Sequence, residues 1–186
     1  LYLSCFLSTA IYAESEMRDV LLVGNNWDGT ADVIDVHSYN RLKRVNVIPE
    51  HDERMTEIKK NPIRWAALAF IRSQIGEGHN QYVDDMYASA DGKEIYVSRP
   101  SFADVVAIDL LTGGIRWRTP VEGFRADHMA ISADGKELVV SASTAKKAHI
   151  IDTQSGTIKA SFPTGGQPHE NIFSKDGSKI YNASIG

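Results

Sequence analysis

Cysteine is nearly absent from this sequence, which contains one, Cys5, among 186 residues. A single thiol excludes a disulfide framework and any metal site built from several thiolates. An excess of one charge is also lacking, because 20 Lys and Arg stand against 24 Asp and Glu, for a net charge of −4. With no overall basic field, we expect neither nucleic acid nor an anionic lipid surface as a partner.

Low-complexity composition is missing as well. The chain has only 14 Gly and 6 Pro, whereas hydrophobic residues make up 42% of it. These values exclude collagen-like and disordered chains and allow one domain with a sizeable core. The sequence also lacks a Walker loop, a dinucleotide fingerprint, a Gly-x-Ser-x-Gly elbow and a His-Glu-x-x-His motif. Because these common catalytic motifs are absent, no motif in the sequence indicates a particular reaction.

The first thirteen residues carry no charge, and the small residue Ala13 stands before Glu14. This pattern predicts a signal peptide at 1–13 whose basic n-region is missing, and hence an exported, periplasmic or extracellular protein with its mature part at 14–186. The stretch is too short to cross a bilayer, so we expect no membrane span after cleavage. The alternative is a buried first strand.

A repeat of 42 to 43 residues organises the rest of the chain. Asp-Gly pairs recur at Asp91-Gly92, Asp134-Gly135 and Asp176-Gly177, each followed by a β-rich segment. Two of these copies then reach an Ile-Asp pair, at Asp109 and Asp152, and a degenerate earlier copy runs from Val23 to Asp35. A repeat of this length is typical of a β-propeller, with one four-stranded blade per repeat.

We therefore predict an all-β fold, a β-propeller of four-stranded blades. For one blade the expected strands lie near 85–90, 94–99, 104–109 and 114–119, and we expect two-residue Asp-Gly turns with both central residues at positive φ. Complete blades are predicted at 84–126 and 127–169, with partial blades on either side. Seven blades would need about 300 residues, so the chain is expected to form about half of a seven-bladed ring that missing C-terminal blades would close.

Residues 49–80 interrupt the repeat and predict a helical insertion. Asn61-Pro62 is a good helix start and Gly76 a good stop, and we expect the charged stretch 50–60 to add a further helical turn or two. One helical stripe is apolar, and it consists of Ile63, Ala66, Ala67, Phe70, Ile71 and Ile75, with Trp65 and Leu68 beside it. We expect this helix to pack on the propeller; the alternative is a lid or partner-docking helix.

The segments from Ser89 to Ser98 and from Val105 to Gly113 resemble the bacterial YVTN-repeat, or YncE-like, propeller family. Its relatives include NirF-like proteins and the propeller half of cytochrome-cd nitrite reductases. The resemblance covers residues 20–48 and 81–186. It implies an exported seven-bladed propeller, often with no assigned reaction, and the fold alone does not supply a function.

Aligning the copies places three residue pairs at one repeat position, where the innermost strand of each blade begins. These pairs are Asp84-Asp85, Asp127-His128 and His169-Glu170. We expect them at the mouth of the central channel as ligand-binding residues, together with Arg99 from another loop of the same face. Three interpretations stay open: a divalent metal or haem site with His128, His169 or His79 as ligands, an acid/base site, or local capping and pairing with Arg125.

Our leading hypothesis is a non-catalytic scaffold that binds a small molecule or a protein partner at this face. The alternative is a hydrolase, because the stretch from Arg125 to Gly135 is similar to a segment of propeller lactonases, which implies His128, Arg125 and Asp127 as catalytic candidates. The sequence departs from that pattern, since two inserted residues separate Arg125 from His128 and the preceding Gly-Pro is absent. No cofactor is certain; a divalent metal or haem would suit the histidines.

Overall fold

The computed structural model describes residues 17–186, so the predicted signal peptide at 1–13 and Cys5 lie outside the described residues. The described chain forms four antiparallel sheets. The first contains β1 (Val20–Asn25), β2 (Thr30–Asp35) and β3 (Arg41–Asn46). The second contains β4 (Met86–Ala88), β5 (Glu94–Arg99), β6 (Asp104–Asp109) and β7 (Ile115–Pro120). The third contains β8 (Ala126–Ile131), β9 (Glu137–Ala142), β10 (Lys147–Asp152) and β11 (Ile158–Pro163). The fourth contains β12 (Pro168–Phe173) and β13 (Ile180–Ser184).

Strand order within every sheet follows the chain, so each sheet is an up-and-down meander, as in a propeller blade. The bounds of β5 and β6 match the predicted strands, β7 is shifted by one residue, and β4 is shorter than expected. Register irregularities recur at one repeat position, between Val33 and Ile34, Ala107 and Ile108, and Ile150 and Ile151. The prediction of a partial β-propeller with a helical insertion is confirmed.

The Asp-Gly turns differ from the prediction in their geometry. Only the glycine has a positive φ, which is 66° at Gly92, whereas Asp91 keeps a negative φ. The Ser89 hydroxyl donates to Asp91 Oδ1 at 2.7 Å, and that same oxygen accepts the backbone N–H of Lys93 at 3.1 Å. These bonds close a longer loop than a two-residue turn, because Asp91 acts as a side-chain acceptor and does not need the left-handed conformation.

The hydrophobic core lies between successive sheets. Residues that alternate along β5 illustrate this, since Ile95 and Val97 pack toward the first sheet, while Tyr96 packs toward the third. β6 behaves in the same way with Val106 and Val105. Because both faces of the second sheet are covered, its two middle strands contain continuous apolar runs, at 95–97 in β5 and 105–108 in β6.

Trp117 joins two neighbouring blades. Its indole Nε1 donates to the carbonyl of Thr153 at 2.9 Å, and its ring stacks on Tyr96 with centroids 5.7 Å apart. The ring also lies against Gly156, where an added Cβ would be only 2.6 Å from Trp117 Cδ2. Gly156 is therefore required for this close approach as well as for its φ of 71°.

Two helices occupy the insertion between the first and second sheets. They are α1 (His51–Lys60) and α2 (Pro62–Gln74). The predicted start of α2 is confirmed, because Asn61 Oδ1 accepts the backbone N–H groups of Ile63 and Arg64, both at 3.1 Å. The charged stretch before it forms the full helix α1.

The predicted apolar stripe of α2 does not coincide with the buried face. Leu68 and Ile71 are buried, and Leu68 packs with Ile58 of α1. Ile63, Phe70 and Ile75 are 68%, 66% and 51% exposed. The buried face of α2 is the one that faces α1 and the 3₁₀ turn Pro100–Phe102. These two elements together cover only a narrow face of α2, so the rest of the apolar stripe is exposed.

A buried ion pair attaches the insertion to the second sheet. Arg99 is fully buried, and its guanidinium donates to Asp104 at 2.8 and 3.0 Å. It also donates to Glu50, just before α1, at 2.7 and 3.2 Å and to the Val47 carbonyl at 3.0 Å. Arg54 of α1 approaches the same Asp104 carboxylate at 3.4 Å.

Replacing Asp104 with Ala is expected to lower the free energy of unfolding by about 3–5 kcal/mol, because it leaves buried guanidinium groups without their carboxylate. Urea unfolding followed by circular dichroism would measure the change. Glu137→Gln is the matched control, since it removes a carboxylate from the solvent-exposed pair with Lys159 and should alter stability little. Equal stabilities of the two variants would contradict the anchoring role of Asp104.

Candidate functional site

The six residues that precede or begin the innermost strands lie together in the structure. We call Asp84, Asp85, Asp127, His128, His169 and Glu170 the strand-start cluster. Hydrogen bonds between sheets fix its backbone, because the Ser98 hydroxyl donates to the Asp127 carbonyl at 2.7 Å. The Asn171 side chain likewise donates to the His128 carbonyl at 3.0 Å. Residues that share this repeat position in the sequence therefore also lie close together in the structure.

His128 is at the centre of the cluster. Its Nδ1 hydrogen-bonds to Asp85 Oδ2 at 3.1 Å, and the same oxygen accepts the backbone N–H of Met129 at 2.8 Å. Its Nε2 lies 4.0 Å from Asp84 Oδ1. The His128 and His169 rings meet edge to face with centroids 4.2 Å apart. The Glu170 carboxylate approaches His128 Nδ1 at 4.0 Å and is the most exposed acid of the set.

Asp84 and Asp127 form a carboxyl pair. Burial raises the pKa of Asp84 to about 7, and its hydrogen bond with Asp127 adds to the rise. Burial also pushes the pKa of Asp127 upward, but the Arg125 guanidinium and the bond from Asp84 outweigh it, so the net pKa is lowered. Two buried carboxyls can touch in this way when they share one proton, which here resides on Asp84.

Arg125 is held beside Asp127. Its Nε lies 3.3 Å from Asp127 Oδ2, and Nη1 donates to the side-chain oxygen of Gln81. Both Arg125 and Asp127 are buried. Arg125 thus balances one charge of the cluster from within the protein.

The charge state of His128 follows from its acidic neighbours. The hydrogen bond to Asp85 raises the pKa of His128 to about 9 against the opposing effect of burial, and the nearby Asp84 and Asp127 carboxyls contribute to the rise. Since Asp85 is an acceptor when ionised, Nδ1 of His128 carries the proton in this bond. His128 is therefore an imidazolium near neutral pH in the ligand-free protein.

Two buried polar atoms of the cluster have no hydrogen-bond partner among the described residues. They are His169 Nδ1 and Asp84 Oδ2. His169 Nδ1 faces Asp127 Oδ1 at 3.4 Å without forming a hydrogen bond. Asp127, His128 and His169 each offer one ligand atom, and these atoms lie within 4.8 Å of one another. The arrangement can hold a metal ion or another small cation.

The other two predicted site residues are elsewhere. All the N–H groups of the Arg99 guanidinium are used by Asp104, Glu50 and Val47, so Arg99 has a structural role and a ligand cannot reach it in this conformation. His79 is exposed and stacks on Trp27, with ring centroids 4.1 Å apart and an interplanar angle of 13°. It does not belong to the group of possible metal ligands found within residues 17–186.

Sequence reasoning missed the supporting residues Gln81, Ser98 and Asn171. Ser98 had a signal, because Ser141 occupies the same repeat position and accepts a hydrogen bond from Asn171 at 2.9 Å. Gln81 had none, since its contact with Arg125 spans two different blades. Repetition of a polar residue at a strand end can thus mark a contact between blades.

Comparisons with known proteins bear on the fold. No protein-family model matches the chain, and no curated protein matches it. Among solved structures, Kuenenia stuttgartiensis hydrazine synthase aligns with a TM-score of 0.64 and 18% identity over 90% of this chain. A crystal structure of the mitotic checkpoint complex aligns with a TM-score of 0.62 and 14% identity over 91% of it.

These matches are β-propeller proteins, which supports the propeller fold. The chain spans 40% and 43% of the lengths of the two matched chains. At these identities the likeness concerns the fold alone, and membership of the YVTN-repeat family is not shown by it. Within residues 17–186, no helix is long and apolar enough to cross a membrane.

Replacing Asp85 with Asn is expected to lower the pKa of His128 from about 9 toward its ordinary value of 6.5, because the amide no longer favours the imidazolium. NMR titration of the imidazole protons in chelator-treated protein would measure it. His37→Ala identifies the resonance of an exposed turn histidine and should leave His128 unchanged. An unaltered pKa of His128 in the Asp85 variant would show that this hydrogen bond does not control its protonation.

Proposed function

We propose that the chain is a section of an exported β-propeller that acts as a binding scaffold, with its binding surface at the strand-start cluster. The observation that carries this proposal is the convergence of six chemically active side chains from three successive innermost strands. Propeller proteins commonly bind ligands or partners where loops meet at one end of the ring, and polar groups that converge at a concave surface favour binding. The YVTN-type identity and export remain parts of the proposal.

The charge of the cluster indicates the kind of ligand. Four carboxyl groups belong to it, whereas Arg125 and His128 supply the positive charges that contact them. Asp85 and Glu170 retain exposed carboxylate surface, so the accessible edge of the cluster is acidic. We therefore propose a cationic small molecule or a basic segment of a protein partner as the ligand.

A short oligolysine peptide is expected to bind the metal-free chain at the cluster, because its ammonium groups complement Asp85 and Glu170. NMR chemical-shift mapping in the presence of chelator would detect it, with oligoglutamate of the same length as the opposite-charge probe. The double variant Asp85→Asn with Glu170→Gln should weaken binding by about two- to fivefold per charge removed.

Glu137→Gln is the matched control for this experiment. It removes one carboxylate at the start of β9, where Glu137 pairs with Lys159, and this end of the sheet is remote from the strand-start cluster. Shifts scattered over other acidic surfaces, or equal weakening in the control variant, would refute the cluster as the binding surface and leave only general attraction to an acidic chain.

A hydrolase of the propeller-lactonase type is the second candidate, favoured by the shared proton of Asp84 and Asp127. A carboxyl with a pKa of about 7 can accept and return a proton near neutral pH. Arg125, beside it, would orient a carbonyl or carboxylate of the substrate. The test is whether the chain hydrolyses simple lactones. If it does, and if Asp84→Asn abolishes this activity without unfolding the chain, the hydrolase proposal replaces the scaffold proposal.

A further inference from the structure

We propose that His128, His169 and Asp127 form a site for one divalent transition-metal ion of the zinc class. This inference rests on the proposed binding role of the strand-start cluster and specifies one ligand of it. The three residues come from β8 and β12, so the ion would join two blades. The site combines two imidazoles with a carboxylate, a ligand set typical of zinc, and leaves further coordination positions open.

The separation of the three ligand groups fits one ion. Zinc binds imidazole nitrogen and carboxylate oxygen at about 2.0–2.2 Å, so ligands in a tetrahedral shell lie about 3.5 Å apart. The ligand atoms of the three residues already lie within 4.8 Å of one another. Asp127 Oδ1 and His169 Nδ1, 3.4 Å apart, have nearly the required spacing. Rotation of the His169 imidazole, the more exposed of the two, would bring the three ligand groups closer to that spacing.

Asp85 prepares His128 for this role. By accepting the Nδ1 proton of His128 at 3.1 Å, it leaves Nε2 as the nitrogen available to a metal once the second proton is displaced. Carboxylates that hold the far nitrogen of a metal-binding imidazole are common, and they set both tautomer and orientation. Asp85 is itself held by the Met129 N–H, so the ring direction is fixed from the backbone.

The unpartnered nitrogen of His169 supports the same conclusion independently. His169 Nδ1 is buried without a hydrogen bond although a carboxylate oxygen lies 3.4 Å away, which is the separation of two ligands that share an ion. A buried polar atom without a partner is uncommon and needs an explanation, and a cation bound between His169 Nδ1 and Asp127 Oδ1 would provide one.

The surrounding charge also favours a dication. Arg125 contacts both carboxylate oxygens of Asp127, whereas Asp85 and Glu170 place two further carboxylates 3.1 and 4.0 Å from His128 Nδ1. The cluster is polar throughout, so it suits a bare ion better than haem, whose porphyrin faces require apolar contacts. His79, stacked on Trp27, takes no part.

Metal titration of the whole chain tests the site. After treatment with a chelator and its removal, the protein would be titrated with Co²⁺, followed by visible absorption, and with Zn²⁺, followed by calorimetry, in mildly alkaline buffer. We expect one equivalent of either metal, with Zn²⁺ displacing Co²⁺. Asp85→Asn should weaken binding by about 10- to 100-fold, as outer-shell changes commonly do.

His128→Ala and His169→Ala should each abolish the Co²⁺ absorption, whereas His37→Ala, at an exposed turn, should leave it unchanged. His169 is partly exposed, so its variant is expected to keep the circular dichroism spectrum of the parent and to remain informative if the His128 variant unfolds. No saturable binding, or equal binding in the parent and His169→Ala proteins, would overturn the metal site. Oligolysine binding in chelator, if retained in that event, would show that the scaffold proposal survives.

Discussion

A β-sheet that is apolar on both faces must be covered on both sides, and this constraint organises the molecule. The second sheet buries Ile95 and Val97 against one neighbour and Tyr96 against the other. Sheets that stack face to face about one axis hold corresponding strands side by side. The starts of β4, β8 and β12 are therefore neighbours because hydrophobic burial requires it, and the polar cluster at those starts depends on this packing rather than on mutual attraction of its side chains.

The cluster itself opposes folding to some extent. It gathers acids that would repel one another in an environment with less water, and the protein compensates in three ways. Arg125 neutralises Asp127, His128 is protonated beside Asp85, and Asp84 retains a proton near neutral pH. Unlike the ion pair of Arg99 and Asp104, which has a structural partner for every donor, this arrangement leaves Asp84 Oδ2 and His169 Nδ1 unsatisfied. Such incomplete pairing is typical of surfaces that bind something else.

Periodic features were predictable from the sequence, whereas contacts set by tertiary packing were not. The spacing of Asp91, Asp134 and Asp176 established the blades and placed the cluster residues at one position, because a repeat in sequence becomes a repeat in space. The repeat predicts Arg99 at the same face as the cluster, but no local sequence pattern indicates that Glu50 and Asp104 bury its side chain. Likewise the periodicity of α2 identified the helix correctly, yet it did not reveal that Leu68 would face α1 and Phe70 the solvent.

The strand-start position carries Asp-Asp, Asp-His and His-Glu in three successive blades, although the backbone there is repeated. A repeated framework thus presents an asymmetric cluster, in which each residue pair is encoded by a separate copy of the repeat. A single substitution in one blade can alter one pair, while the hydrogen bonds of Ser98 and Asn171 preserve the backbone around the others. Substitutions in the separate copies would therefore change the chemistry of the strand-start cluster one residue at a time, while the apolar packing between the sheets stays the same.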